Sequence, residues 1–171
     1  MSKPELVHDP YWNRYIDLVE QADVAAALKA QERELAESFD AIGEERSTFR
    51  YAAGKWSIKQ LVNHVADTER IFGYRALSIA RGDTRSLPGF DEQLFAANAD
   101  SDRRAFHEIA GEMLSVRRST IALFDGLSAA AWDRVGTAND NRISVRSLAY
   151  VTAGHARHHL NVLRERYLSA Q

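Results

Sequence analysis

The segment Gly154-His155-Ala156-Arg157-His158-His159, near the C-terminus, holds three of the six histidines in the chain. It lies inside a long helical pattern, Ser144–Leu168, that contains no proline and one glycine. Residues four apart share one face of an α-helix, so the imidazoles of His155 and His159 point the same way, one turn apart. Two such imidazoles can occupy two sites of one metal ion, as they do in zinc helices of the H-E-x-x-H type. A third ligand must come from elsewhere in the chain, and His64, on an earlier helix, is the best candidate.

The composition indicates a single soluble globular domain spanning residues 1–171. Hydrophobic residues make up 45% of the chain, charged residues make up 27%, and the formal net charge is -2. The chain has no block of basic residues and no apolar run of about 18 residues, so we expect neither a nucleic-acid partner nor a membrane span. It also lacks the apolar core of a signal peptide and has no cysteine. We therefore expect a cytoplasmic protein whose metal ligands are His, Asp or Glu.

Four long amphipathic patterns with no strand signal predict an all-α fold, a four-helix bundle. The helices are predicted at Asp23–Ile42, Ser57–Arg81, Asp102–Asp125 and Ser144–Leu168. Asp23 and Ser144 are expected N-caps, and Ser57 begins a capping-box pattern that Gln60 completes. Gly136–Asn141 is rich in turn-forming residues and is predicted to be a polar loop.

Two further segments complete the predicted architecture. Residues 82–101 form a long crossover between the second and third helices, with a short helix expected around Phe90, Leu94 and Phe95. Crossovers of this length are usually functional or well packed. Residues 1–22 form an N-terminal arm in which Asp9-Pro10 can start a helix. The arm is predicted to pack across the bundle, with a lid or a dimer contact as the alternative.

His64 lies on the apolar side of the second predicted helix. Taken alone, this is also the pattern of a core histidine satisfied by a carbonyl or hydroxyl group. Asp67, one turn away, is a candidate for orienting a ligand or serving as one, although a surface position is the commoner case for such a residue. Arg75, three turns above His64, is predicted to pair with Asp17 or Glu20 of the arm rather than to bind substrate.

The remaining histidines of the helical patterns are assigned to the periphery. His158 lies at the edge of the apolar stripe of the last helix, so we expect it to lie on the surface or to support a ligand rather than to be one. His107 neighbours polar positions of the third helix and is predicted to be a surface residue. The pair on the last helix is therefore predicted to be His155 and His159.

Several segments resemble those of the DinB/YfiT-like superfamily. Lys55–Gln60, followed by His64–Phe72, resembles the second-helix signature of that family, and Gly154–His159 resembles its last-helix signature. Tyr74–Asp83 and Leu87–Asp91 are similar to segments common in one branch. The resemblance spans roughly residues 24–168, with the two histidine segments in the order found in the family.

The resemblance implies a four-helix bundle with an up-down-down-up path, often a homodimer, and a divalent metal on His64, His155 and His159. Family members are described as metal-dependent hydrolases. Some branches transfer low-molecular-weight thiols such as bacillithiol, mycothiol or glutathione, or isomerise their adducts. The implied partner is therefore a small-molecule substrate, with a small thiol as one candidate.

The chemistry of three imidazoles is consistent with that implication. Three neutral imidazoles with an open position are typical of catalytic zinc, and nickel suits the same ligands. Such a cation can activate water or a thiol. Asp67, Glu69 and Glu165 are the candidates for orienting the imidazoles, and no residue stands out as a general base. Two alternatives remain: a non-catalytic metal-binding or interaction module of the stress-response type, and a metal-free bundle whose histidines satisfy each other.

Overall fold

A computed structural model describes residues 3–169 of the chain. Its helices and strands are α1 Asn13–Ile16, α2 Val24–Asp40, α3 Glu44–Ser47, α4 Ile58–Ala80, α5 Glu92–Asn98, α6 Phe106–Asp125, α7 Ala129–Trp132, β1 Val135–Ala138, β2 Asn141–Ser144 and α8 Val145–Val162. Short 3-10 turns occupy Pro10–Trp12 and Ser101–Arg103, and a π-helical segment, Leu163–Leu168, continues α8. Residues 1, 2, 170 and 171, the ends of the predicted domain and arm, lie outside the described residues. Within residues 3–169, no helix has both the length and the apolarity needed to cross a membrane.

The four long helices, α2, α4, α6 and α8, form the predicted bundle, and α4 and α8 run antiparallel within it. At one end, the Tyr167 hydroxyl after α8 donates a hydrogen bond of 2.8 Å to the carbonyl of Trp56, just before α4. At the other end, the Arg134 guanidinium, which precedes α8, donates to the carbonyl of Ala80 at the end of α4. His64, near the start of α4, therefore lies level with the C-terminal half of α8.

α6 runs parallel to α4, and this direction requires the long crossover. The Lys59 ammonium near the start of α4 donates to the Arg104 carbonyl just before α6, and further along both helices Glu69 pairs with Arg117. α2 runs parallel to α8 and antiparallel to α6. The chain thus follows an up-down-down-up path, and residues 81–105 return it to the end of the bundle where α4 began.

Side-chain caps start three of the four long helices at the predicted positions. Ser57 and Gln60 form a complete capping box at α4, in which each side chain bonds the other residue's backbone N–H. Asp23 caps α2 and Ser144 caps α8 without a capping box, each side chain accepting a hydrogen bond from an N–H of the first turn. These caps satisfy backbone donors that the helix itself leaves free.

The third long helix begins at Phe106, so the predicted start at Asp102 is wrong. The Asp102 carboxylate accepts hydrogen bonds from the Ser57 hydroxyl and the Arg50 guanidinium, and it therefore ties the crossover to the start of α4 instead of capping α6. The short helix predicted in the crossover is present as α5, which buries Ala96 against the bundle.

Gly136–Asn141, predicted to be a polar loop, instead forms most of a β-hairpin in which β1 pairs antiparallel with β2. Asn139 and Asp140 have φ angles of 51° and 60°. Positive φ at both central residues is what a two-residue type I′ turn requires. Leu87 of the crossover bridges to Ala138, so the hairpin holds the crossover in place.

A polar layer divides the core of the bundle into two apolar clusters. Within this layer the Arg117 guanidinium donates hydrogen bonds of 2.8 and 2.7 Å to the Glu69 carboxylate and one of 2.6 Å to the Gln31 amide oxygen. Gln31 in turn donates to the Ala153 carbonyl at 2.9 Å. Each long helix contributes one residue to this network, which fixes α8 immediately before its histidine segment.

Candidate metal centre

The three predicted histidine ligands converge beside the polar layer. His64 projects from α4, and His155 and His159 project from successive turns of α8. The Nε2 atom of His155 lies 3.2 Å from Nε2 of His64 and 3.1 Å from Nε2 of His159. One potential ligand atom from each of the three residues lies within 4.8 Å of the others. The antiparallel pairing of α4 and α8 thus brings the three imidazoles to one point.

This arrangement fits a single tetrahedral cation. Metal–nitrogen bonds of about 2.0–2.1 Å place two ligand nitrogens of a tetrahedral ion roughly 3.3 Å apart. Burial lowers the pKa of His64 to about 4 and holds the pKa values of His155 and His159 well below the usual range. The imidazoles are therefore neutral at pH 7, which is the form that binds a divalent cation. The same separations also allow hydrogen bonds between the rings, so ligation by these histidines stays a prediction that metal content must test.

Aromatic side chains surround the three imidazoles. The Trp56 ring lies 4.7 Å from the His64 ring, measured between centroids. Tyr15 and Phe72 present ring edges to His155 at 5.3 and 5.8 Å. These walls limit the access of water and lower the local dielectric constant, which strengthens electrostatic interactions at the centre.

The protein provides few hydrogen bonds to the Nδ1 atoms of His64 and His159. His64 Nδ1 lies 3.5 Å from the Thr68 hydroxyl, at the limit of a hydrogen bond. His159 Nδ1 is buried and has no hydrogen-bond partner among residues 3–169. Metal-bound histidines usually donate this N–H to a carboxylate, a carbonyl or water, which raises the basicity of the ligand. We therefore expect a cation here to be held less tightly than in sites whose histidines donate these hydrogen bonds.

The three carboxylates predicted to orient the imidazoles lie elsewhere, so that prediction is wrong. Asp67 pairs with Arg70 at 3.1 Å, and Glu69 is buried in its pair with Arg117. Both residues follow the first histidine by less than two turns, but the helix rotates them towards α6. Glu165 is exposed and is joined by no hydrogen bond to the three histidines in the described chain.

The predicted pairing of Arg75 with the arm is also wrong. Within residues 3–169, Arg75 forms no ion pair, and its one hydrogen bond, of 2.7 Å, goes to the Pro88 carbonyl in the crossover. Asp17 and Glu20 are exposed to solvent. Asp17 and Glu20 follow α1, the part of the arm that packs against α8, so neither carboxylate pairs with the guanidinium on α4.

The two other histidines of the long helices lie outside the cluster, as predicted. His158 is exposed, and its ring centroid lies 5.0 Å from that of His159 and 5.7 Å from that of Tyr15. His107 is exposed near the start of α6. Neither belongs to the group of side chains that can hold one ion.

Two cavities reach the histidine cluster from different sides. The first, of about 400 Å³, contacts His155 and is lined by residues of the arm, α4, the crossover and the hairpin. The second, of about 530 Å³, contacts His159 and is lined by residues that include Trp56 and Tyr167. Glu92, at the start of α5, borders both cavities. Their volumes are typical of sites for small molecules.

The arm forms one wall of the first cavity, a role that the sequence left undecided. Tyr11, Trp12 and Tyr15 line this cavity. Gly154 makes the arrangement sterically feasible, because a Cβ atom there would lie 2.0 Å from the Tyr15 carbonyl oxygen. A glycine inside a helix often marks such a close approach of another backbone. That lone glycine was the signal in the sequence that something crosses α8 beside His155.

The model of the DinB superfamily matches residues 27–163, a range that contains all three histidines of the cluster. This chain belongs to the DinB superfamily. A relative from Oceanobacillus iheyensis, named "Putative metal-dependent hydrolase OB0413", is 30% identical to it over 129 residues, which cover 74% of this chain and 73% of that protein.

Two solved structures share the fold of this chain. YfiT from Bacillus subtilis, described as "a probable metal-dependent hydrolase with an unusual four-helix bundle topology", matches with a TM-score of 0.74 and 16% identity, over 98% of this chain and 93% of its own. YjoA, a DinB-like protein from Bacillus subtilis, matches with a TM-score of 0.61 and 16% identity, over 85% of this chain and 90% of its own. The up-down-down-up bundle is therefore confirmed as the fold.

Proposed function

We propose that this protein is a metal-dependent enzyme in which His64, His155 and His159 hold a divalent cation that activates water or a small thiol. The observation that carries the proposal is the convergence of three neutral imidazoles where two substrate-sized cavities meet the bundle core. Zinc and nickel both suit three nitrogen ligands, and we propose one of these two ions. The names of the relatives support hydrolysis, and the resemblance to thiol-transferring branches supports a thiol as the alternative nucleophile. We place the reaction in the cytoplasm, with a small molecule as substrate.

The residues of this chain have separate tasks in that reaction. When bound, the cation would act as a Lewis acid and polarise a coordinating oxygen or sulfur atom. The three imidazoles would hold the cation in place. Burial raises the pKa of Tyr15, so its phenol stays protonated in the first cavity and can donate a hydrogen bond to a substrate. Trp56 and Phe72 limit the access of competing water.

The cavities favour an enzyme over a non-catalytic module. A metal that only stabilises a protein is usually enclosed by four protein ligands, whereas a catalytic metal keeps an open position. Here three side chains form the cluster, and open space reaches two of them. This arrangement suits exchange of a small ligand at the cation.

A reconstitution assay tests the proposal. Metal-free protein would be loaded with zinc or nickel and screened against activated esters, and separately against an aryl halide with glutathione. We expect turnover that requires the metal and falls at least about a hundredfold in His159→Ala, because a site with two ligands no longer holds the cation in place. His107→Ala, which removes an exposed histidine, should keep the wild-type rate. A rate that survives in His159→Ala, or that is equal with and without metal, would contradict the proposal.

A further inference from the structure

Two arginines are buried among residues 3–169, and they differ in what balances their charge. Arg117 is 0% exposed and makes a bidentate pair with the Glu69 carboxylate. Arg75 is 3% exposed, yet its guanidinium has only the Pro88 carbonyl as a hydrogen-bond partner in the described chain. A buried guanidinium without a carboxylate is costly unless another group supplies the counter-charge. This imbalance suggests that a ligand completes the environment of Arg75.

Arg75 lines the first of the two cavities that reach the histidine cluster. Thr68, Phe72 and Arg75 line one side of the first cavity, and His155 lines its inner end. The axis of α4 rises about 10 Å between Thr68, which lies beside His64, and Arg75. A small elongated molecule could therefore reach the cation with one end and the guanidinium with the other.

The other charges of this cavity narrow the class of ligand. Asp9 and Glu92 also line it, and neither forms an ion pair with Arg75 in the described chain. Asp9 accepts a hydrogen bond from the Tyr11 N–H at 2.8 Å, and Glu92 is exposed at the start of α5. Two carboxylates in the lining of a cavity with one guanidinium disfavour a dianion such as a phosphate. A single carboxylate matches the fork of donors that a guanidinium offers and adds one negative charge only.

We propose that Arg75 determines specificity by binding a carboxylate of the substrate, whose reacting group lies at the histidine cluster. This inference rests on the proposed function, because the cation defines the other end of the substrate. The substrate class is then an elongated carboxylic acid that carries its electrophile or thiol at the far end. The wall formed by Trp12, Tyr15 and Phe72 would contact the apolar chain between the two ends.

The test uses thiols as probes of both ends of the cavity. Cobalt-substituted protein would be titrated with mercaptocarboxylates of increasing chain length and with the mercaptoalcohols of matching length. The thiolate–cobalt charge-transfer band reports binding at the metal. At lengths that span the cavity, we expect the acid to bind about tenfold or more tightly than the alcohol, as a charge-assisted hydrogen bond provides. Arg75→Gln should abolish this preference. Arg81→Gln, which removes the same charge from an exposed position at the end of α4, should retain it.

The outcomes separate the two proposals. A charge-transfer band for acid and alcohol alike, with no preference at any length, overturns the carboxylate site and leaves the metal site standing. A preference that persists in Arg75→Gln overturns the carboxylate site in the same way. The absence of any band with all thiols counts against the metal site, and with it against the inference built on it. Should Arg75→Gln fail to fold, the Arg75 Nε resonance of the zinc-loaded wild type decides, because the acid should shift it and the alcohol should not.

Discussion

Arg117 and Arg75 are both buried, but we expect removal of their charges to change the free energy of unfolding by very different amounts. Arg117→Met leaves the Glu69 carboxylate buried without a counter-ion, so it should lower the free energy of unfolding by about 3–5 kcal/mol. Arg75→Met loses one hydrogen bond to the Pro88 carbonyl and strands no carboxylate, so the change should be no more than about 1 kcal/mol. Urea unfolding at pH 7 measures both values. Equal losses would show that Arg75 serves the fold rather than a ligand.

Gly154 and Gly73 form a matched pair of helix-interior glycines in different surroundings. A Cβ at Gly154 would overlap the Tyr15 carbonyl, whereas a Cβ at Gly73 would meet nothing within 4 Å. Gly154→Ala must push the arm away from α8 and should destabilise the protein by about 1–3 kcal/mol. Gly73→Ala should stabilise it by about 0.5–1 kcal/mol, because alanine favours the helix.

Thermal or urea unfolding of the two alanine variants, side by side, checks this prediction. Quenching of tryptophan fluorescence by a small neutral quencher would show whether the arm, which carries Trp12, has moved. Destabilisation by Gly154→Ala without a change at the arm would place the strain elsewhere in α8. Equal effects of the two substitutions would contradict the close contact between the arm and α8.

At the level of helices, Glu34 of α2 pairs with one arginine of α8 and with one of the π-helical segment that continues it. Its carboxylate accepts hydrogen bonds from Arg157 and, at 2.9 Å, from Arg164. Burial opposes the charge of the carboxylate, but the hydrogen bonds from the two arginines outweigh it and hold the pKa of Glu34 below its usual range. Because the pKa of Glu34 is lower in the folded than in the unfolded protein, its ion pairs stabilise the fold at pH values above the unfolded pKa of about 4.3. This contribution is lost as the pH falls through the folded pKa.

We expect the difference in the free energy of unfolding between wild type and Glu34→Gln to depend on pH. The wild type should be the more stable protein near pH 7, and its advantage should shrink as the pH falls below about 4. Glu37→Gln is the control, since Glu37 lies on the same helix in a highly exposed pair with Arg33. Unfolding free energies measured across this pH range decide the matter. A difference in the free energy of unfolding that stays constant with pH would mean that the charge of Glu34 contributes nothing to stability.

Local signals in the sequence explain which elements could be predicted. Asp23, Ser57 and Ser144 cap their helices with side chains that act within a few residues, so their effect is visible in the sequence. The start of α6 was misplaced because Asp102 bonds to Ser57 on another helix, a tertiary contact that overrides its capping tendency. The hairpin was missed because its strands have four residues each and its Asn139–Asp140 turn looks like any polar loop.

The candidate site was predictable to a similar extent. Helical periodicity alone placed His155 and His159 on one face and turned His64 towards the interior. Periodicity cannot say which helices are neighbours, and so it gave Arg75 the wrong partner and left the role of the arm open. The path of the chain around the bundle decides both points, because it puts the crossover beside Arg75 and the arm beside His155.

Considered as a whole, the bundle is held together without the histidine cluster. The network of Gln31, Glu69, Arg117 and the Ala153 carbonyl links all four long helices, and apolar clusters lie on both sides of it. The imidazoles bridge only α4 and α8. We therefore expect the metal-free protein and the histidine variants to stay folded, so that loss of metal can be separated from loss of structure.

The metal content of protein purified without an affinity tag tests the central claim most directly. Wild type, His159→Ala and the surface control His107→Ala would be measured by mass spectrometry, with circular dichroism to confirm the helical fold. We predict about one zinc or nickel ion per chain in the wild type and in His107→Ala, and none in a folded His159→Ala, because the cluster supplies all three protein ligands. A wild type without metal, or a His159→Ala variant that keeps it, would contradict the account.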